Sequence, residues 1–183
     1  MPFHIPLITD NLGPSQRLRV DPGQTGFFAG KFFRTYVEGI VPVGGTAVCF
    51  RFTSPIDFIL WAQQIELTQG AVRLEVFTGT ITPSGTWTAL PNIGVNRMAV
   101  RPAPYYTPVC TVETGGQFTG GTPVDLILLR SGGKDSQQNV GGGATERGLP
   151  AGTYYGRINT LTGGITPVDS AQFVYSIIWE ERP

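Results

Sequence analysis

The residues able to do chemistry are few in this chain, and their spacing limits what they could do. One histidine, His4, stands between Phe3 and Ile5 in a proline-rich N-terminal stretch. A Ser–His–carboxylate triad would have to use it, and an HExxH zinc site needs a second histidine. A lone terminal His is more simply a solvated or packed side chain. The remaining route is a carboxylate pair of the glycosidase kind, one acid protonating the leaving group while the other acts as base or nucleophile. Candidates are Asp57, Glu66, Glu75, Asp125 and Glu146. If residues 58–79 form a hairpin, Glu66 and Glu75 share a face with Arg73 and Gln64. A salt-bridged, solvated sheet face explains those residues without any reaction. The sequence therefore predicts a protein that is not an enzyme, with no catalytic residue, no cofactor and no metal.

Cys49 and Cys110 are too few for a disulfide framework and too far apart for a local metal knuckle. Both lie in apolar runs and are expected as buried, reduced thiols. The segment SGGKDSQQNVGGGATERG (131–148) resembles a phosphate loop only superficially. Lys134 is followed by Asp135 where such a loop needs Ser or Thr, and no preceding Gly has the required spacing. It reads as a loop between strands, with Lys134 a candidate partner contact. Phe118, in GGQFTGG (115–121), is expected at a glycine-rich turn, either plugging an open barrel end or anchoring a partner. Tyr105 and Tyr106, between Pro104 and Pro108, raise the same choice between a cover over the sandwich end and a contact platform.

Composition points to the elements behind these residues. The 183 residues include 25 Gly and 15 Pro, and only 14% are charged, against about 25% in ordinary soluble domains. Many turns with little charge fit a β protein part of whose surface is covered by neighbours. Thirteen basic and thirteen acidic residues cancel, without the basic excess of a nucleic-acid binder. Zero net charge gives little colloidal repulsion, which suits a protein destined for assembly. No run approaches the ~18 apolar residues of a membrane span, and MPFHIPLITDNLG lacks the basic start and apolar stretch of a signal peptide. Neither nucleic acid nor membrane is expected as a partner, and synthesis in the cytoplasm is.

Residues 1–25 contain Pro2, Pro6, Pro14 and Pro22 with no sustained period. They read as an extended arm, with a short edge strand around Arg17–Val20. Its apolar Phe3, Ile5 and Leu7 are candidate contacts to a neighbouring subunit. Residues 26–183 read as one domain. Strands are predicted at Lys31–Glu38, Thr46–Thr53, Phe58–Thr68, Ala71–Gly79, Thr86–Leu90, Val109–Thr114, Val124–Arg130, Thr153–Asn159 and Ala171–Glu180, punctuated by Gly, Pro, Asn or Ser. No helix-length window carries a 3.6-residue apolar stripe. The fold class is all-β, an antiparallel β-sandwich or jelly roll.

Two local expectations are sharper. A turn at Gln69-Gly70 would place Leu67 beside Val72, Ile65 beside Leu74 and Gln63 beside Val76, with Glu66 beside Arg73 and Ala62 beside Phe77 on the other face. In the last strand Phe173, Tyr175, Ile177 and Trp179 share one face, and Glu180-Glu181-Arg182 is expected to end the apolar run at the surface. Phe50, Phe52, Ile65, Leu67, Val72, Leu74, Phe173 and Ile177 are the predicted core.

Several stretches together carry a resemblance: RVDPGQTGFFAGKFFRTY (19–36), ALPNIGVNRM (89–98), TGGTPVDLILLR (119–130), ERGLPAGTYYGRIN (146–159) and the terminal IIWEERP. The pattern resembles virion-associated structural proteins of tailed bacteriophages. It rests on turns and strands, and it transfers no site residue. It implies a virion subunit made in the host cytoplasm, with copies of itself and other virion proteins as partners. A capsid decoration protein in a symmetric oligomer is the first expectation, and a tail or fibre-attachment component the second. A third, from a different class, is a carbohydrate-binding sandwich using Trp87, Tyr105, Tyr106 or Trp179, which requires at least two of these aromatics exposed on one groove.

Overall fold

The computed structural model of the chain describes residues 25–96, 106–130, 136–140, 147–161 and 170–182. Of these residues 71% lie in strands, so the chain is all-β. A single helical turn, α1 (Thr25–Phe28), precedes β1 (Phe32–Val41), β2 (Val48–Ser54), β3 (Phe58–Gln69) and β4 (Ala71–Ser84). Two short strands follow, β5 (Thr88–Ala89) and β6 (Ile93–Gly94), then β7 (Thr111–Thr114) and β8 (Gln117–Arg130). The last are β9 (Ser136–Val140), β10 (Arg147–Leu149), β11 (Gly152–Thr160) and β12 (Ala171–Glu181).

These strands form two antiparallel sheets packed as a sandwich. The first runs β10-β3-β12-β1-β6, with β9 also paired to β3, and the second runs β5-β7-β2-β11-β4-β8. Period-two alternation builds the core, because successive side chains of a strand leave opposite faces. On β12 Phe173, Tyr175, Ile177 and Trp179 all point inward and are at most 4% exposed. From the second sheet Phe50, Phe52, Val72, Leu74, Val112 and Ile158 meet them. All eight predicted core residues belong to this one cluster. Leu74 is fully buried within it, so Leu74→Ala is expected to cost about 2–5 kcal/mol, measured by urea denaturation.

The hairpin expected at Gln69-Gly70 does not form a ladder. Strand β3 pairs with β9, β10 and β12, whereas β4 pairs with β8 and β11. The chain turns a corner at Gly70 and passes from one sheet to the other. Gly70 has φ +81°, and a Cβ there would lie 2.9 Å from the Ala171 backbone, so a side chain is excluded both by conformation and by space. Ile65, Leu67, Val72 and Leu74 do share one core, but from opposite sheets. Glu66 and Arg73 are accordingly not neighbours: Glu66 lies opposite Val174 and Gln137, and Arg73 opposite Asn159 and Leu128.

Residues 115–121 also differ from expectation. Most of GGQFTGG is the start of β8, which pairs with the distal half of β4 as far as Ser84–Gln117. The ladder slips between Thr78 and Ile81, and Gly120 and Gly121 opposite take φ of +80° and +87°. Glycine accommodates the bulge that other residues would strain. The edge strand proposed at Arg17–Val20 lies outside the described residues.

Candidate functional site

Two features adjoin at one side of the sandwich: a cleft between the sheets and the edge of β8, which among the described residues pairs with β4 alone. The cleft encloses about 430 Å³. Phe52, Phe58, Leu60, Val76, Tyr154 and Ile177 supply apolar wall, and Val124 of β8 lines it from the second sheet. Interiors ordinarily leave few voids larger than a water molecule, so an apolar space of this size marks incomplete closure.

Four of its polar lining residues form one connected chain. The Tyr175 hydroxyl donates to Gln63 Oε1 (2.5 Å), and Gln63 Nε2 donates to Asp125 Oδ2 (3.0 Å). Arg147 forms an ion pair with the same carboxylate oxygen at 3.0 Å, and the Leu126 amide donates to Asp125 Oδ1 at 2.9 Å. Burial raises the Tyr175 phenol above its ordinary range, with the Asp125 charge adding to the shift. It is therefore a neutral donor at any physiological pH. Asp125, one of the sequence's candidate carboxylates, accepts from all of these donors and so ties β8 to β3 and β10.

The other carboxylates are dispersed. Glu75 pairs with Arg73 (2.6 Å) on the second sheet, Glu66 is exposed on the first, and Asp57 accepts the Ala151 amide at 3.0 Å. The expected Glu66/Glu75 pair thus sits on two different sheets. Glu146 lies outside the described residues. Among those described, no group of three His, Cys, Asp or Glu side chains is placed to hold a metal.

Phe118 is 3% exposed and lies within the β4–β8 ladder opposite Pro83, so it is neither an exposed anchor nor a cover over an open end of the sandwich. It packs at 5.4 Å on Phe77 and 5.1 Å on Tyr155, with the Arg157 guanidinium 4.5 Å above its ring. These residues and Cys49 form a second small cluster on the outer face of the second sheet. Tyr106 is half-buried against Phe33, beneath Lys31 Nζ at 5.5 Å. Tyr105, Lys134, Phe3, Ile5 and Leu7 lie outside the described residues. Trp179 is fully buried and Trp87 is covered by Arg51 at 4.9 Å. The two belong to different clusters and do not share one exposed groove.

The acidic end of β12 is buried and not at the surface, contrary to expectation. Glu180 and Glu181 are 3% and 0% exposed. Glu181 accepts four hydrogen bonds: from Tyr106 Oη (2.8 Å), the Val109 and Cys110 amides (3.0 Å each) and Trp179 Nε1 (3.3 Å). It fastens the segment leading into β7 to the C-terminal strand. Glu180 accepts from Trp61 Nε1 and pairs with Arg182, both within 3.1 Å. Cys110, beside Glu181, donates to Ser54 Oγ at 3.2 Å, and burial pushes its thiol up to about 12. Cys49 is likewise buried, and both are free.

The β8 edge was also missed. This strand ends its sheet, and Ile127 and Leu129 point into the core. The alternate residues Leu126 and Leu128 are each about half exposed, at 51% and 50%, as is Val124 in the bulge that precedes them. The available signal was VDLILLR, apolar on both faces, which a singly covered strand does not need. Neither the protein-family models nor the curated proteins contain a match to this chain.

Proposed function

We propose that this chain is a structural subunit that works by self-association through the edge of β8, in the virion of a tailed phage, as a capsid decoration protein. The observation that supports it is the stretch Val124–Arg130, whose outer edge pairs with no other described strand. It is long, aliphatic on its outer face, and terminal in a six-stranded sheet. Such an edge is a template for pairing, and proteins that stay monomeric blunt it with outward lysines, prolines or bulges. Here Pro123 and the glycine bulge blunt only the first half of β8. Asp125 is turned to Gln63 and Arg147. With zero net charge, nothing long-ranged opposes contact between copies. The particle and the decoration role come from the resemblance to phage virion proteins, which low charge and a proline-rich arm accompany.

The test is light scattering on the full chain and on the Leu126→Lys/Leu128→Lys variant. The wild type is expected to be oligomeric. The double variant should be monomeric with an unchanged β-type circular dichroism spectrum, since both side chains lie outside the core. A wild type that is monomeric at all concentrations, or a double variant that associates equally well, contradicts the reading.

A further inference from the structure

We infer that the cleft beside β8 is closed by the N-terminal arm of a second copy, added as a strand to the β8 edge with Phe3, Ile5 and Leu7 directed into the cleft. This rests on the proposed self-association and names the segment that performs it.

Three observations converge. First, the cleft and the edge are continuous, because Val124 and Asp125 belong to β8 and also line the cavity. A strand laid along that edge would direct alternate side chains at the opposite sheet, where Leu60 and Leu149 wait. Main-chain pairing with alternate side chains in pockets is the recognised pattern of strand addition. Second, the arm has matching parity. Phe3, Ile5 and Leu7 recur at every second position, and Pro2 and Pro6 share the opposite parity. In an extended strand the N–H groups of alternate residues face opposite edges. Both prolines therefore remove donors from the same edge, leaving the amides of Phe3, Ile5 and Leu7 for pairing on the other. Prolines at mixed parity would spoil both edges.

Third, the chain enters the sandwich on the first sheet, whereas β8 ends the second. Helical turn α1 rests on the outer face of the first sheet, where Gly26 is so close to Glu180 that a Cβ would overlap the carboxylate. Its Phe27 carbonyl accepts from Asn96 Nδ2 at 3.0 Å. Strand β8 belongs to the other sheet. Residues 1–24, fully extended, reach up to about 80 Å at ~3.3 Å each, enough to cross to a neighbour. Exchange between copies buries the arm's apolar side chains, the cleft and the edge together, and closed symmetric exchange is a common way for subunits to join.

The full-length variant Ile5→Cys/Thr78→Cys tests this by placing one thiol on the arm and one in the cleft wall. Cys49 and Cys110 are buried and do not compete. Copies grown in ¹⁴N and ¹⁵N media are mixed, re-equilibrated and oxidised, and linked peptides are identified by mass spectrometry. The expected product joins position 5 to position 78 with mixed isotopes. Linkage within one isotope only would mean that the arm closes its own cleft, which overturns the exchange. Absence of any linkage, in a protein that still dissociates on Leu126→Lys/Leu128→Lys substitution, overturns the arm as occupant and leaves the β8 contact standing. A monomeric wild type removes the underlying reading itself. Ile5→Asp is the second arm, since it leaves the sandwich untouched. A carboxylate buried without a partner should raise the apparent dissociation constant at least ~10-fold, and an unchanged constant would contradict the inference.

Discussion

Replacing Glu181 with leucine is expected to destabilise the protein by at least about 4 kcal/mol, because buried donors left without an acceptor each cost ~1–3 kcal/mol. Four donors converge on this carboxylate: the Tyr106 hydroxyl, two backbone amides and the Trp179 indole. Leucine fills the volume and satisfies none of them. The two amides cannot rotate away, since they belong to the chain entering β7. Glu181→Gln separates charge from shape. It keeps one oxygen acceptor and sets an NH₂ donor against others, so it should fall between wild type and leucine. Urea denaturation followed by tryptophan fluorescence measures both. A leucine variant within about 1 kcal/mol of wild type would mean that these groups find water, contrary to the full burial of Glu181.

Trp179→Ala should cost about 3–5 kcal/mol, the usual range for removing a large buried aromatic. The ring is fully buried, with Phe33 at 5.9 Å and Phe52 edge-on at 5.2 Å. It spans the two sheets, because Phe33 belongs to β1 and Phe52 to β2. Its indole also donates to Glu181, so the two substitutions should not add. Combined, they are expected to cost less than the sum of the separate losses, as residues in one hydrogen-bond network do. Additivity within error would show that the indole bond contributes nothing to the fastening at Glu181.

What could be read beforehand followed from short-range periodicity. The inward row Phe173, Tyr175, Ile177, Trp179 was legible because a strand's two faces are set by parity alone. The same rule identified the inner residues of β3 and β4, yet their partners were misassigned. A hairpin and a corner between sheets bury the same side chains, and a glycine with positive φ serves either. Which one forms depends on β12 and β11, whose paired residues lie more than seventy positions away, taking the places beside β3 and β4. The buried Glu181 was illegible for a similar reason. Its backbone donors lie more than seventy residues back, and a charged residue near a terminus reads as solvated until they are found. Phe118 looked like a loop tip because glycines flank it. Those glycines fit a bulge inside a long ladder, and the ring turns onto Phe77 and Tyr155. The half-exposed row on β8 needed knowledge that β8 ends its sheet.

The central claim is that the β8 edge is covered when copies of the chain associate. Hydrogen–deuterium exchange of the full-length protein, at a concentration where it is assembled and after dilution to the monomer, tests it most directly. The amides of Val124–Arg130 should exchange markedly more slowly in the assembled sample, while those of β12, paired on both sides by β1 and β3, remain unchanged. Equal exchange of the β8 amides at both concentrations, in a protein shown by light scattering to be assembled in the first, would place the contact elsewhere and contradict the account.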